Sequence, residues 1–174
     1  IISPFYNASP YLERCIDSIK RQRYNNFKCL MVDDLSTDNS LEVAEKAISN
    51  DSRFVLGSSN EKCYALKNIS KAIEARGAED DDVIILLDGD DWFASSLTLN
   101  HLNEYYNDKD CWMTYGSYVM HPYGVKGPEP SPYPDDVVKN NSYRKDTWRA
   151  SHLRTFRKKL WDKIDQDDLK DENG

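Results

Sequence analysis

The stretch VIILLDGDDWF, Val83 to Phe93, decides how the fold is read. Five apolar residues run without a break into Asp88, Asp90 and Asp91. An unbroken apolar run of this length reads as a strand buried on both faces, as in parallel sheets. Carboxylates at such density repel one another. Their placement at the end of a buried strand therefore predicts a positive partner among them.

The flanking sequence extends the pattern in both directions. Ile1 and Ile2 read as the end of a strand already under way, so a preceding segment, with any targeting signal, is expected to be missing. Ser9 and Pro10 read as N-cap and first helical residue. Leu12, Cys15, Ile16 and Ile19 follow at helical spacing. FKCLMVDD, Phe27 to Asp34, reads as a second strand. STDNSLEVAEKAI opens a helix with Leu41, Ala44, Ala47 and Ile48 inward and Ser36 to Asp38 as capping residues. RFVLG reads as a short third strand, and YALKNISKAIEA as a helix with Leu66, Ile69 and Ile73 inward. After Val83 to Leu87 come a helix from about Ser95 to Tyr106 and a fifth strand in CWMTYGSYVM.

Strand and helix alternate, which implies an α/β fold with right-handed crossovers. The expected architecture is a Rossmann-like, mostly parallel sheet with helices on both faces. Ligands in such sheets bind beyond the carboxyl ends of the strands. Asp33-Asp34 and Asp88 to Asp91 fall at that edge.

The totals agree with one globular domain. The chain has 174 residues, 39% hydrophobic and 30% charged. No apolar run approaches the roughly 20 residues of a membrane helix. The net charge of −7 argues against a nucleic-acid partner, which needs a basic surface to neutralise phosphates. Cys15, Cys29, Cys63 and Cys111 are widely spaced, show no CxxC, and read as buried free thiols. HPYGVKGPEPSPYPDD has no apolar period and reads as a long loop. In YRKDTWRASHLRTFRKKLWDKI, Trp148, Leu153, Phe156, Leu160 and Ile164 fit one face of a basic helix, with Arg149, Arg157 and Lys163 outside it. Trp112 and Tyr115 read as core residues of the fifth strand, with sugar stacking as the alternative.

Two acidic groups carry candidate chemistry. In extended chain Asp88 and Asp90 point the same way. Gly89 between them permits a turn or the close approach of a ligand. Paired carboxylates at a strand end suit Mn²⁺ or Mg²⁺ shared with substrate phosphates. A turn with solvated acids would give the same spacing. Asp91 points the other way and fits a cap for the next helix or a supporting place at the site. At the second strand end, a carboxylate could accept a hydrogen bond from a nucleobase N–H or a ribose hydroxyl, while capping explains Ser36 to Asp38. A phosphatase reading of DGDD is disfavoured: the motif follows the fourth strand, and Trp92 stands where a Thr is needed. EF-hand calcium binding fails on the missing glycine.

Together, PFYNASPYLERCIDSI, VDDLSTDNS, NEKCYALKNISKAI and VIILLDGDDWF resemble the family 2 glycosyltransferases, inverting enzymes of the GT-A fold. The resemblance covers about residues 2–99. It implies one catalytic domain over 1–174, with residues 1–99 as the nucleotide-sugar-binding half. Residues 100–174 would be an acceptor-side half, expected to be incomplete at its C-terminus. Pro4, Tyr6 and Asn7 match the nucleotide-contacting stretch, with the Tyr6 ring against uracil. Asp34 matches the acid that reads the uracil N3–H. Lys67 and Asn68 match the "RN" pair, and Asp88, Gly89 and Asp90 the DxD motif, with Asp90 as direct metal ligand beside Asp88. Trp148, His152 and Arg154 fall where acceptor or diphosphate is bound, with His152 expected within reach of the metal or a phosphate.

The implied activity is metal-dependent transfer of a sugar from a UDP-sugar to an acceptor hydroxyl on a glycan or protein. Binding of the donor without turnover is the alternative. The turn before Lys67-Asn68 departs from the family by lacking glycine. The catalytic base is expected beyond residue 174, with Asp167 and Asp168 as weaker candidates. The expected compartment is the cytoplasm or the membrane periphery, with the secretory lumen left open.

Overall fold

A computed structural model describes residues 1–75 and 77–169. Four strands, β1 (Ile2–Phe5), β2 (Cys29–Asp33), β3 (Phe54–Ser58) and β4 (Val83–Leu86), are interleaved with α1 (Ser9–Lys20), α2 (Ser40–Ile48) and α3 (Tyr64–Ala75). After α4 (Thr98–Tyr106) come β5 (Met113–Gly116), β6 (Val119–Met120), β7 (Val125–Lys126) and α5 (Asp135–Lys139). A 3₁₀ turn at Tyr143–Lys145, β8 (Ser151–Arg157), α6 (Lys158–Trp161) and a 3₁₀ turn at Gln166–Leu169 complete the described chain.

The six-stranded sheet has the order β3-β2-β1-β4-β8-β5. β1 to β4 pair in parallel, and β8 runs antiparallel to both β4 and β5. This is the mostly parallel α/β sheet expected, and period-2 alternation explains its two covered faces. Cys29, Met31, Ile85 and Leu87 join the core under α1, α2 and α4, with Leu12, Ile16, Ile19, Ala44 and Leu99. Ile2 and Ile84 face the other way, onto Ile69, Ala72 and Ile73 of α3 and Trp161 of α6.

Several expectations are corrected. The first strand runs through Phe5 instead of ending at Ile2, and the helix after the acidic stretch begins at Thr98. Leu66 of α3 is exposed, and Trp112 is not a core residue, since Lys159 and Lys163 lie over its ring. The fifth strand breaks after Gly116, and the expected loop carries β7, which pairs with β6. The largest correction is β8. The segment expected as a basic helix is a strand from Ser151 to Arg157, inserted between β4 and β5. Without it, β4 would present a row of unpaired backbone groups beside a buried apolar strand. Arg157, expected outside, is buried and donates to the carbonyls of Tyr106, Asp108, Cys111 and Asp81.

The cysteines follow expectation. All four are free, and three are buried, with Cys111 half-buried. Burial pushes the Cys15 and Cys29 thiols up to about 12. Among the described residues, no helix is long and apolar enough to cross a membrane.

Candidate functional site

The carboxyl ends of β1, β2 and β4 bring the acidic clusters to one edge of the sheet. Beyond Leu86 the ladder continues through Leu87 N–H to Ile2 O (3.1 Å) and Gly89 N–H to Pro4 O (3.1 Å). Gly89 therefore packs against β1, and a Cβ there would stand 2.5 Å from Phe5 Cβ. The chain then turns, closed by Asp91 N–H to Asp88 O at 3.0 Å. This turn brings Asp91 back beside Asp88 and leaves Asp90 exposed.

β8 supplies the other side. Its antiparallel register sets Arg154 opposite Leu86, which places the start of β8 beside the end of β4. His152 Nδ1 lies 3.4 Å from Asp91 Oδ2, and an Arg154 guanidinium nitrogen 3.9 Å from Asp88 Oδ2. The Tyr118 ring meets the His152 ring edge-on at 5.7 Å. Gly116 lets β5 close on this point, since a Cβ would meet the His152 carbonyl oxygen at 2.9 Å.

One ligand atom each from Asp88, Asp91 and His152 falls within 4.8 Å of the other two. Burial pushes the Asp91 carboxyl above its ordinary value. His152 and Arg154 oppose that rise, and Asp90 and Asp88 add to it. Two half-buried carboxylates that repel each other, with an imidazole beside them, form a donor set that fits Mn²⁺ or Mg²⁺. Asp91 is thus not a helix cap: Leu97 occupies the N-cap position of α4 with no side-chain cap.

The second cluster centres on Asp34, which is buried at the end of β2. Its Oδ1 accepts from Cys63 N–H (2.7 Å) and Asn68 Nδ2 (2.9 Å), and its Oδ2 from Tyr64 N–H (3.0 Å). Lys62 Nζ lies 3.0 Å from Oδ2. Burial alone would raise the Asp34 carboxyl. The hydrogen bonds from Cys63, Asn68 and Lys62 outweigh it and hold the group below its ordinary value. Asp34 therefore caps α3 from a neighbouring strand, where the helix dipole favours negative charge. Asn68 is fully buried, and its Oδ1 accepts from Ser59 Oγ at 2.7 Å.

The other expected residues divide. Tyr6 is exposed, with the Lys62 ammonium 2.8 Å from its ring centroid. Pro4 is buried in β1, paired in register with Val32. Asn7 takes a left-handed conformation, φ 49°. Its Oδ1 accepts from Thr37 N–H and Asp38 N–H, and its own N–H donates to Ser36 Oγ. Lys67 is exposed and pairs with Glu61 at 2.9 Å. Trp148 is exposed in the loop before β8, its Nε1 bonded to Ala150 O. Asp167 and Asp168 are exposed in the 3₁₀ turn beyond α6, outside the acidic cluster. Sequence reasoning left Asp91 between a helix cap and a supporting place at the site, and it missed Lys62 altogether. The missing glycine before Lys67-Asn68 is the signal that bears on Lys62.

Residues 1–165 match the family described as Glycosyl transferase family 2. An uncharacterized glycosyltransferase of Haemophilus influenzae is 36% identical over 122 residues, which cover 69% of this chain and 46% of that protein. S. aureus TarS 1-349 in complex with UDP-GlcNAc superposes with a TM-score of 0.67 at 19% identity, covering 97% of this chain and 46% of that one. The mannosyltransferase PcManGT from Pyrobaculum calidifontis, in complex with GDP-Man and Mn²⁺, gives 0.66 at 16% identity, covering 92% and 44%. The chain thus spans somewhat under half the length of the Haemophilus protein and of these two solved chains.

Proposed function

The chain belongs to glycosyl transferase family 2, and from that premise we propose that it binds a nucleotide-sugar, a UDP-sugar, for metal-dependent transfer to an acceptor hydroxyl with inversion. The observation that carries this reading is the meeting of Asp88, Asp91 and His152 beside Arg154 at the carboxyl edge of the sheet. A diphosphate and a divalent ion are complementary to that mixture of two carboxylates, an imidazole and a guanidinium. Relatives in fold are described with UDP-GlcNAc and with GDP-Man and Mn²⁺, which supports the same ligand class.

Asp88, Asp91 and His152 would hold the ion, with Asp90 the further carboxylate that the DxD spacing offers. Such an ion stabilises the negative charge that develops on a departing nucleoside diphosphate. Arg154 is placed to add a charge-assisted hydrogen bond to a phosphate oxygen. Tyr6 offers a stacking face, and Asp34 an acceptor, to the base. β4 and β8 are paired strands, so they hold His152 and Arg154 in fixed relation to Asp88 without a lid having to close.

Calorimetric titration of UDP, GDP and ADP with and without Mn²⁺ tests the site. Wild type should bind UDP only with the metal. Asp90→Ala should abolish that binding, and so should Asp91→Ala and His152→Ala. Metal-independent binding, or no preference for uridine, would overturn the assignment. Assaying transfer from a panel of UDP-sugars then separates an enzyme from a donor-binding module, which would bind without turnover.

A further inference from the structure

The place a nucleobase would take at this edge already has an occupant. Lys62 Nζ lies over the Tyr6 ring, 2.8 Å from its centroid. It is also 3.0 Å from Asp34 Oδ2 and 3.2 Å from the Asp34 carbonyl oxygen. A carboxylate offers about four lone-pair positions, and all four on Asp34 have partners: Cys63 N–H, Tyr64 N–H, Asn68 Nδ2 and Lys62 Nζ. Three of these donors are fixed. Two are backbone groups at the start of α3, and Asn68 is fully buried on that helix. Lys62 is different, with a side chain 34% exposed on a flexible four-carbon stem. It is the one donor that can leave Asp34 without unwinding α3. The same ammonium covers the ring face of Tyr6, so a base entering between Tyr6 and Asp34 must displace it from both.

We propose that Lys62 is the residue that selects the base. An entering N–H takes its place on Asp34 Oδ2, and the displaced ammonium donates to the base carbonyl beside that N–H. This inference rests on the nucleotide-sugar reading of the site and deepens it by naming the recognised edge. Uracil carries N3–H between two carbonyls, and guanine carries N1–H next to O6. Cytosine N3 and adenine N1 are bare acceptors that would face the Asp34 lone pairs. Each also has an amino group beside it, set donor against donor with Lys62. Lys67, the first member of the "RN" pair, instead meets Glu61 on the exposed surface. Lys62 stands within the turn that lacks glycine and puts a cation beside Asn68 on the same carboxylate, Asp34.

The test is calorimetric, with Mn²⁺ present, on wild type, Lys62→Met and Lys62→Arg. The probes are UDP, 4-thio-UDP, whose sulfur is a weaker acceptor in place of O4, and CDP. Wild type should bind UDP most tightly, 4-thio-UDP less so and CDP least. Lys62→Met should bind UDP about tenfold more weakly and no longer distinguish it from 4-thio-UDP. Lys62→Arg should keep most of the preference. If Lys62→Met binds UDP and CDP more tightly in equal measure, Lys62 only obstructs the pocket and the proposal fails. Equal binding of UDP and 4-thio-UDP by wild type overturns it without any variant. A wild type that binds none of the three nucleotides overturns the nucleotide-sugar reading and this inference with it. Binding with the wrong ratios overturns this inference alone.

Discussion

Gly89 shows how tightly single residues govern the carboxyl edge of the sheet. Its backbone bonds to Pro4 O, and the nearest atoms to an added Cβ belong to Phe5 and Leu12. Phe5 Cβ lies too close to its own backbone to move aside. Gly89→Ala should therefore destabilise the fold by about 1–3 kcal/mol through overpacking. It should also displace Asp88 and Asp91 enough to weaken Mn²⁺ binding. Urea unfolding and metal titration check the two effects separately, and an unchanged unfolding midpoint would refute the first. The thiols give a second residue-scale test. Ellman's reagent should label Cys111 rapidly in the native chain and leave Cys15 and Cys29 unreacted, since burial holds both at about 12. Rapid modification of three or more thiols would contradict the core described. At this scale DGDD was readable as an acidic site, but not which carboxylates meet. Reasoning from i and i+2 presumes extended chain. The turn between Asp88 and Asp91 ends that presumption one step beyond the strand.

β8 is the element on which the site depends most. It carries His152 and Arg154 to the carboxyl edge, and at its other end Arg157 donates to four backbone carbonyls around the end of α4 and the approach to β4. Arg157→Met keeps the stem and removes every donor. One of these contacts is buried and three are partly so, and losing the guanidinium from all four should cost about 2–3 kcal/mol. Thermal unfolding measures it, and a loss under about 1 kcal/mol would mean that water replaces the guanidinium. The helical reading of this segment failed for a physical reason. Its apolar residues fit a helical stripe, and Leu153 and Phe156, which pack on opposite faces of the sheet, fit a strand equally well. Short amphipathic segments of this kind are settled by what they pack against. The free edge of β4 made the choice. By contrast, α3 begins where its periodicity said it would, at Tyr64, and is helical through Ala75.

For the whole molecule, acid stability follows from the carboxylates that tie β2 to the helices. Ser40 and Ser9 hydrogen bonds bring Asp38 down to about 2. Asp34 is lowered as well, by its bonds to Cys63, Asn68 and Lys62 against the opposing effect of burial. A carboxyl with a depressed folded value stabilises the fold above its unfolded value, and that contribution is lost as pH falls through the folded one. The melting temperature should therefore hold near neutrality and fall below about pH 4, as the unfolded chain begins to take up protons ahead of the folded one. Asp34→Asn should melt lower at pH 7 and decline less steeply in acid. Parallel acid profiles for the two proteins would show that Asp34 carries no such linkage.

The alternating strands and helices, the two-sided sheet, the buried thiols and the acidic carboxyl edge were all determined by the sequence itself. Apolar periodicity and strand-end carboxylates are local patterns, and local patterns survive whatever packs around them. Only the tertiary structure decided that β8 lies between β4 and β5. The same holds for the meeting of His152 with Asp91 and of Lys62 with Tyr6 and Asp34. These contacts join residues distant in the chain. They form because an unpaired strand edge and a buried carboxylate must each find partners, wherever in the sequence those partners lie.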